Sequence, residues 1–289
     1  MRLIAPAKIN WTLDVLGRRH DGYHEVRTVL QTIDLFDEVC LDPAETLTIA
    51  AGSGYSPSED DLALAAARLL AEVTDRPPRA TISIAKRIPA AAGLGGGSSN
   101  AAAALRGLNR KWGLALEQDR LSQVAARLGS DVPFFLYGGT ALAQGRGELI
   151  TPLPDAAPAW IVLLVPPFKP SHKTKRMYQA LTPSDFSDGS HTEALVSRVR
   201  QGGHINDAGL YNVFERAAYE TFAGLTAYRE ALLAAGSPHV HLAGSGPTLF
   251  ALATDRSEAE GIYRSLGPPG GEFFLARTIA AHEALAIRD

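Results

Sequence analysis

The residues best suited to chemistry form one run: positions 89–105 read Pro-Ala-Ala-Ala-Gly-Leu-Gly-Gly-Gly-Ser-Ser-Asn-Ala-Ala-Ala-Ala-Leu. Glycine admits positive φ and lets bare N–H groups approach a guest. The helix that the Ala-rich stretch promises, opening at Ser98 or Ser99, aims its positive dipole end at the same point. The expected guest is an anion, most naturally a phosphate. Phosphate-binding loops separate by sequence. A Walker A loop needs Gly-Lys-Ser/Thr, which the chain lacks. A dinucleotide loop needs glycine in sixth place, whereas Gly93-Leu94-Gly95-Gly96-Gly97-Ser98 ends on serine, and no second strand closing on an acid follows about 20 residues later. The His-Arg-Asp and Asp-Phe-Gly tripeptides of protein kinases are missing as well.

Other segments carry reactive side chains in a fixed order around this loop. Ala5-Pro6-Ala7-Lys8-Ile9-Asn10 is followed by Arg19-His20-Asp21-Gly22-Tyr23-His24; Gly129-Ser130-Asp131-Val132-Pro133-Phe134-Phe135 brings a carboxylate; Ala243-Gly244-Ser245-Gly246-Pro247-Thr248 is a second loop of small residues. Together with Pro-x-x-x-Gly-Leu-Gly-x-x-Ser-Ser at 89–99, these segments resemble the motifs of the GHMP small-molecule kinases, the superfamily of galactokinase, homoserine kinase and mevalonate kinase. The expanded form Gly-Leu-Gly-Gly-Gly-Ser-Ser-Asn-Ala-Ala is similar to one branch. That branch phosphorylates the 2-hydroxyl of a cytidyl diphosphate sugar alcohol in non-mevalonate isoprenoid precursor synthesis.

The resemblance implies a two-lobed α+β fold, with an N-terminal lobe like ribosomal protein S5 domain 2, a ferredoxin-like C-terminal lobe and a cleft between them. It implies ATP on the segment Pro89, Ala90, Ala91, Ala92, Gly93, Leu94, Gly95, Gly96, Gly97, Ser98 and Ser99. Phosphoryl transfer asks chiefly for positioning and charge neutralisation, so Mg2+ is implied too, with Ser98, Ser99 and Asp131 open as its contacts. Asp131 takes the part of the carboxylate that accepts the proton of the attacking hydroxyl, and Lys8 that of its partner, orienting Asp131 or holding the developing charge. Tyr23 and His24 would contact the cytidine, Tyr178, four residues after Thr174, would stack on the base, and Asn10 would bind near the sugar-alcohol end. On local grounds each has an ordinary reading as well. Asp131 suits a turn after Gly129, Lys8 suits a plain strand, Tyr23 and His24 suit a turn-to-strand transition, and Tyr178 suits a core contact on a helix.

Strands are expected at Arg2–Ile4, Ile9–Leu16 and Val26–Leu35, with a Gly- and His-containing turn at Gly17–Tyr23. Ser58 to Asp61 resembles a capping box opening a helix at Leu62–Val73. A strand at Ala80–Ile88 leads into the loop, then helices follow from Ser99 to Trp112 and over Gln118–Leu128. Three prolines lie between Ile150 and Pro158, and they mark the expected lobe boundary, giving 1–152 for ATP binding and catalysis and 153–289 for substrate recognition. Beyond it a strand at Trp160–Val165, helices at Lys173–Leu181, Glu193–Arg200, Val213–Thr221, Ala227–Ala235 and Glu258–Ser265, and strands at His239–Ala243, Leu249–Ala253 and Phe273–Ile279 complete the pattern.

Composition narrows the partners. The chain has 289 residues, 46% of them hydrophobic, with a formal net charge of −3. Such a chain can bury a core and is near the upper limit for one, which again favours two lobes. Near-neutral balance argues against nucleic acid or anionic lipid as a partner, leaving a small-molecule substrate and a monomer or weak homodimer. The longest apolar run, Ala159–Val165, is far short of the roughly 20 residues of a membrane span. No secretory signal is expected, because Pro6 and Lys8 precede any apolar stretch. The single Cys40 permits neither an internal disulfide nor a cysteine zinc site, which points to a cytoplasmic setting. Three features stand outside the pattern. Lys169 to Arg176 holds four Lys or Arg in eight positions, Arg146 falls where an apolar side chain is expected, and His239 and His241 share a strand face as a possible metal pair or a half-exposed strand.

Overall fold

The computed structural model describes residues 1–56, 58, 61–168, 173–266 and 270–288. The two short N-terminal strands expected from the sequence are one strand, β1 (Arg2–Arg18), paired antiparallel with a similarly long β2 (His24–Asp42). Polar Lys8, Asn10, Thr12 and Asp14 do not break β1, because each is buried and finds partners inside the protein.

The rest of the first half adds β3 (Leu47–Ala50), α1 (Leu62–Val73), β4 (Ala80–Ala85), α2 (Gly96–Lys111), α3 (Gln118–Leu128), β5 (Thr140–Gly145) and β6 (Leu149–Pro152). The second half adds β7 (Trp160–Val165), α4 (Lys173–Gln179), α5 (Ser190–Arg200), β8 (Tyr211–Asn212), α6 (Glu215–Thr221), α7 (Leu225–Ala234), β9 (His241–Leu242), β10 (Leu249–Ala253), α8 (Arg256–Ser265), β11 (Glu272–Arg277), α9 (Ala281–Ala284) and β12 (Ile287–Arg288). The α+β character is borne out. α1 has its expected bounds, but its cap differs from the expected box: Asp61 itself is the cap, accepting the N–H groups of Ala63 and Leu64, while Glu59 and Asp60 lie outside the described residues. No helix among the described residues is long and apolar enough to cross a membrane.

Two sheets organise the chain. The larger has the order β12-β1-β2-β4-β3, with β5 on β2, β6 on β5, and β8 parallel to β1; the smaller has the antiparallel order β11-β7-β10-β9. Helices α1, α2 and α3 cover one face of the larger sheet, a second core lies between the two sheets, and a third packs α6, α7 and α8 on the smaller sheet. β1 threads all three. Leu3 and Ala5 enter the first core, Ala7, Ile9 and Trp11 the inter-sheet core, and Leu13 and Val15 the third. Register shifts fall between Pro6 and Ala7 and between Asn10 and Thr12, at these handovers, and each re-aims the strand's side chains. Between the shifts, alternation turns Lys8 and Asn10 away from the inter-sheet core and toward the cleft.

Candidate active site

The glycine loop is held from three sides. At its entrance Asp37 of β2, fully buried, accepts the Lys86 ammonium at 2.6 Å and the N–H groups of Arg87 and Ile88 at 2.7 and 2.8 Å. In the middle the Lys8 N–H of β1 donates to the Leu94 carbonyl at 2.9 Å, while Ala92 and Leu94 point into the inter-sheet core. Glycine is required by space as well as by φ. A Cβ on Gly93 (φ +90°) would lie 2.7 Å from the carbonyl oxygens of both Ala243 and Gly246, and one on Gly95 (φ +74°) would lie 2.7 Å from the Phe135 ring. Gly95 is the N-cap of α2, so the helix begins at Gly96, ahead of the expected Ser99, and its unpartnered first-turn N–H groups open at the loop. Just inside that turn, Ser99 Oγ and Asn100 Oδ1 are buried without a hydrogen-bond partner.

Beside the loop a polar relay reaches from β1 and β2 to Asp131. Asp131 Oδ2 lies 3.7 Å from Lys8 Nζ, which donates to Asn10 Oδ1 at 2.8 Å; Asn10 Nδ2 donates to the Thr28 hydroxyl at 2.8 Å, and that hydroxyl donates to the Thr12 carbonyl. Lys8 and Asn10 are each 4% exposed, whereas the Asp131 side chain is 43% exposed. Lys8, Asn10, Gly93, Gly95 and Asp131 line one cavity of about 240 Å³. A larger cleft of about 1020 Å³ adjoins it, lined by Ser98, Tyr23, His24 and Tyr178, with Asp131 and Tyr178 shared by both.

That larger cleft is aromatic. The His24 and Tyr178 rings stack with centroids 4.8 Å apart and planes 22° apart, and Tyr178 meets Phe214 edge-on at 4.9 Å. Burial first, and then the Asp131 carboxylate, hold the Tyr178 phenol above its ordinary range. Thr174 Oγ is 3.3 Å from Ser245 Oγ, joining the start of α4 to the second small-residue loop.

The chain matches two family descriptions, GHMP kinases N terminal domain over residues 61–139 and GHMP kinases C terminal over residues 193–268. It is 43% identical over 280 residues to a 4-diphosphocytidyl-2-C-methyl-D-erythritol kinase of Dehalococcoides mccartyi, covering 96% of this chain and 98% of that one. It belongs to the GHMP kinases. An enzyme of the same name from Geobacillus kaustophilus is 41% identical over 288 residues, covering 97% and 98% of the two chains. The crystal structure of a 4-(cytidine 5'-diphospho)-2C-methyl-D-erythritol kinase superposes with a TM-score of 0.81 at 33% identity, covering 96% of this chain and 99% of that one.

Within this GHMP kinase the structure brings Lys8, Asn10, Asp131 and the Gly93–Ser99 loop together, and draws Tyr23, His24 and Tyr178 into the adjoining cleft. Of the segment 89–99, Gly93, Gly95 and Ser98 line the cavities and the rest line neither; Ala92 and Leu94 face the inter-sheet core, and Pro89 and Ala90 form the loop's approach from β4. Arg146 acquires a place: its guanidinium carbon lies 4.8 Å from the Tyr23 ring centroid, while its N–H and Nε donate to Glu148 at 2.6 and 3.3 Å. Asp37 and Thr28 go unnoticed in the sequence, since a lone acid or threonine in a strand carries no local signal. Of the basic segment, Lys169 to His172 lie outside the described residues, Lys175 and Arg176 are exposed, and Lys173 turns inward. The histidine pair separates: His239 is exposed, while His241 Nε2 meets Asp207 at 2.8 Å and its ring tilts against Phe250. Among the described residues no group of three His, Cys, Asp or Glu side chains is arranged to hold a metal ion.

Proposed function

We propose that this kinase transfers the γ-phosphoryl group of ATP to the 2-hydroxyl of 4-diphosphocytidyl-2-C-methyl-D-erythritol, releasing ADP and the 2-phosphate. The observation that carries the reading is the position of Asp131 and Lys8, 3.7 Å apart where the small cavity beside the glycine loop meets the aromatic cleft. A hydroxyl presented from the aromatic cleft to a phosphate on the loop passes this pair.

On this reading the N–H groups of the loop and of the first turn of α2 bind the ATP phosphates, which is why glycines stand where a Cβ would block the approach. Asp131 accepts the hydroxyl proton as the new O–P bond forms and the bond between the γ-phosphorus and the ADP oxygen breaks. Lys8, held by Asn10, fixes the Asp131 carboxylate and compensates charge on the oxygen under attack. Tyr178 and Tyr23 offer ring faces to the cytosine, His24 and Arg146 offer polar edges, and Asn10 faces the sugar-alcohol end. The unpartnered Ser99 hydroxyl at the start of α2, with Ser98 beside it, would hold the Mg2+ ion. That ion, when bound, neutralises phosphate charge.

We assign residues 1–152 to ATP binding and chemistry and 153–289 chiefly to substrate recognition, with β8 and β12 returning to the larger sheet. The same reading places the enzyme in the cytoplasm as a monomer or weak homodimer, acting on a small molecule and independent of nucleic acid and membrane. The test is ADP release with the cytidyl methylerythritol, homoserine and mevalonate in parallel, with and without Mg2+. Turnover of the cytidyl alcohol alone, dependent on Mg2+, is the expected result. Turnover of only the other two alcohols overturns the substrate, and turnover of none overturns the activity.

A further inference from the structure

Lys173 opens α4 from the second half of the chain, yet its ammonium is spent on two loops of the site. It donates to the Ala91 carbonyl of the glycine loop at 3.0 Å and to the Gly246 carbonyl of the second small-residue loop. Ala91 is in the left-handed region, φ +57°, which a residue bearing Cβ rarely adopts and which needs an outside partner to hold it. The same two loops touch where Gly93 meets the carbonyls of Ala243 and Gly246, so Lys173 is the side chain that ties them together.

An ammonium carries three N–H bonds, and these carbonyls take two of them. Lys173 also lines the 240 Å³ cavity with Lys8 and Asp131. Two ammonium groups, the Arg146 guanidinium and one carboxylate leave that cavity with an excess of positive charge. Burial first, and then the charge of Lys8, pull the Lys173 pKa down to about 8, while Asp131 acts in the opposite sense. Like charges gathered in a half-enclosed space are unfavourable until an anion joins them.

We propose that Lys173 is a second catalytic ammonium for the transferred phosphoryl group: two of its N–H bonds pin the Ala91 and Gly246 carbonyls, and the third is presented to a γ-phosphoryl oxygen across the cavity from Lys8. The inference rests on ATP occupying the glycine loop, as proposed above. Lys173 gives a hydrogen bond only. The proton of the acceptor hydroxyl still goes to Asp131, and no bond to Lys173 forms or breaks.

The test compares wild type, Lys173→Met and Lys173→Arg by kcat and KM from ADP release, by calorimetric Kd for a non-hydrolysable ATP analogue, and by melting temperature. Removing one donor aimed at a transition state costs about 10²-fold in kcat, so Lys173→Met is expected to lose that much while its Kd for the analogue moves by less than about threefold. Lys173→Arg keeps the charge and is expected to recover at least about tenfold of the loss. Four results overturn the proposal: a Lys173→Met kcat within about twofold of wild type, a loss that appears wholly in analogue Kd, an equal kcat loss in both variants, or a folded Lys173→Arg as inactive as an unfolded Lys173→Met. Wild-type protein that releases no ADP with any acceptor overturns the underlying ATP reading, and this inference with it.

Discussion

The two ends of the cleft are built by opposite means. At the loop end the groups behind Asp131 and the loop's entrance are fixed by buried partners. Lys8 is held by Asn10, Asn10 by Thr28, Thr28 by the Thr12 carbonyl, and the entrance of the loop by Asp37. At the aromatic end Tyr23 is 53% exposed, and the rings meet by face contacts: His24 on Tyr178, and Arg146 over Tyr23. The first arrangement suits phosphoryl transfer, where groups must stand ready before charge develops. The second suits recognition, because a base inserted between rings orders them at the moment of binding and the ordering cost is taken from affinity. Changes at the loop end should therefore appear in kcat or in stability, and changes at the aromatic end in KM for the cytidyl substrate.

The largest break of this contrast is expected at Asp131. On the proposed assignment of Asp131 as the proton acceptor, Asp131→Asn should lower kcat by about 10²–10⁴-fold with both KM values little changed. The half-exposed side chain leaves melting temperature near that of wild type. Lys8→Ala should lose kcat on a similar scale. Near-wild-type turnover in either variant, measured by ADP release, rejects its assigned role. Next in size is the support beneath the loop. Asp37→Ala would leave the Lys86 ammonium and two backbone N–H groups without their buried acceptor, and should cost about 3–5 kcal/mol in a denaturant titration. A loss below about 1 kcal/mol would mean that water reaches these groups and that the entrance is not rigid.

The aromatic end should respond differently. Base–aromatic stacking is worth about 1–3 kcal/mol, so Tyr178→Ala is expected to raise KM for the cytidyl substrate by roughly 5- to 150-fold and to leave KM for ATP unchanged. An unchanged cytidyl KM with a lowered melting temperature would identify Tyr178 as a core residue only, which its edge-on contact with Phe214 also allows.

What the sequence reveals follows the same division. The glycine run is legible because few residue types tolerate its geometry: a Cβ at Gly93 or Gly95 has nowhere to go. The Asp131 segment is legible only through its resemblance to the family's motif. Most helices and strands follow from their apolar spacing, and the larger errors have physical causes. β1 reads as two strands because Pro6 and Lys8, between Ile4 and Ile9, imitate a break. β8 and β12 are two residues each, too short to carry a period, and exist only because β1 offers them an edge. Arg146 lacks meaning until folding sets it over Tyr23, and Asp37 until the residues before Pro89 arrive at its carboxylate. Lys173, inside a basic run, reads as a solvated helix lysine, and only the carbonyls of two distant loops show otherwise.

The smallest expected effect, and the finest test of the contrast, is in the pH dependence at His24. Burial first, and then the nearby Arg18, hold its imidazole below the ordinary value of about 6.5, so in the folded enzyme it is neutral at pH 7. A neutral ring keeps one acceptor nitrogen for a cytosine edge, and protonation converts it to a donor on both sides. The cytidyl KM should therefore stay flat from pH 8 to about 6.5 and rise only at more acid pH, while KM for ATP, set at the loop end, does not follow. The sign for stability is the same. Below about 6.5 the unfolded chain takes up this proton before the folded one does, so the His24 contribution to stability declines as pH falls toward its folded pKa. His24→Gln cannot titrate and should remove the acid rise in the cytidyl KM. If the rise persists unchanged in His24→Gln, the acid limb belongs to another group, and His24 serves the aromatic end by stacking alone.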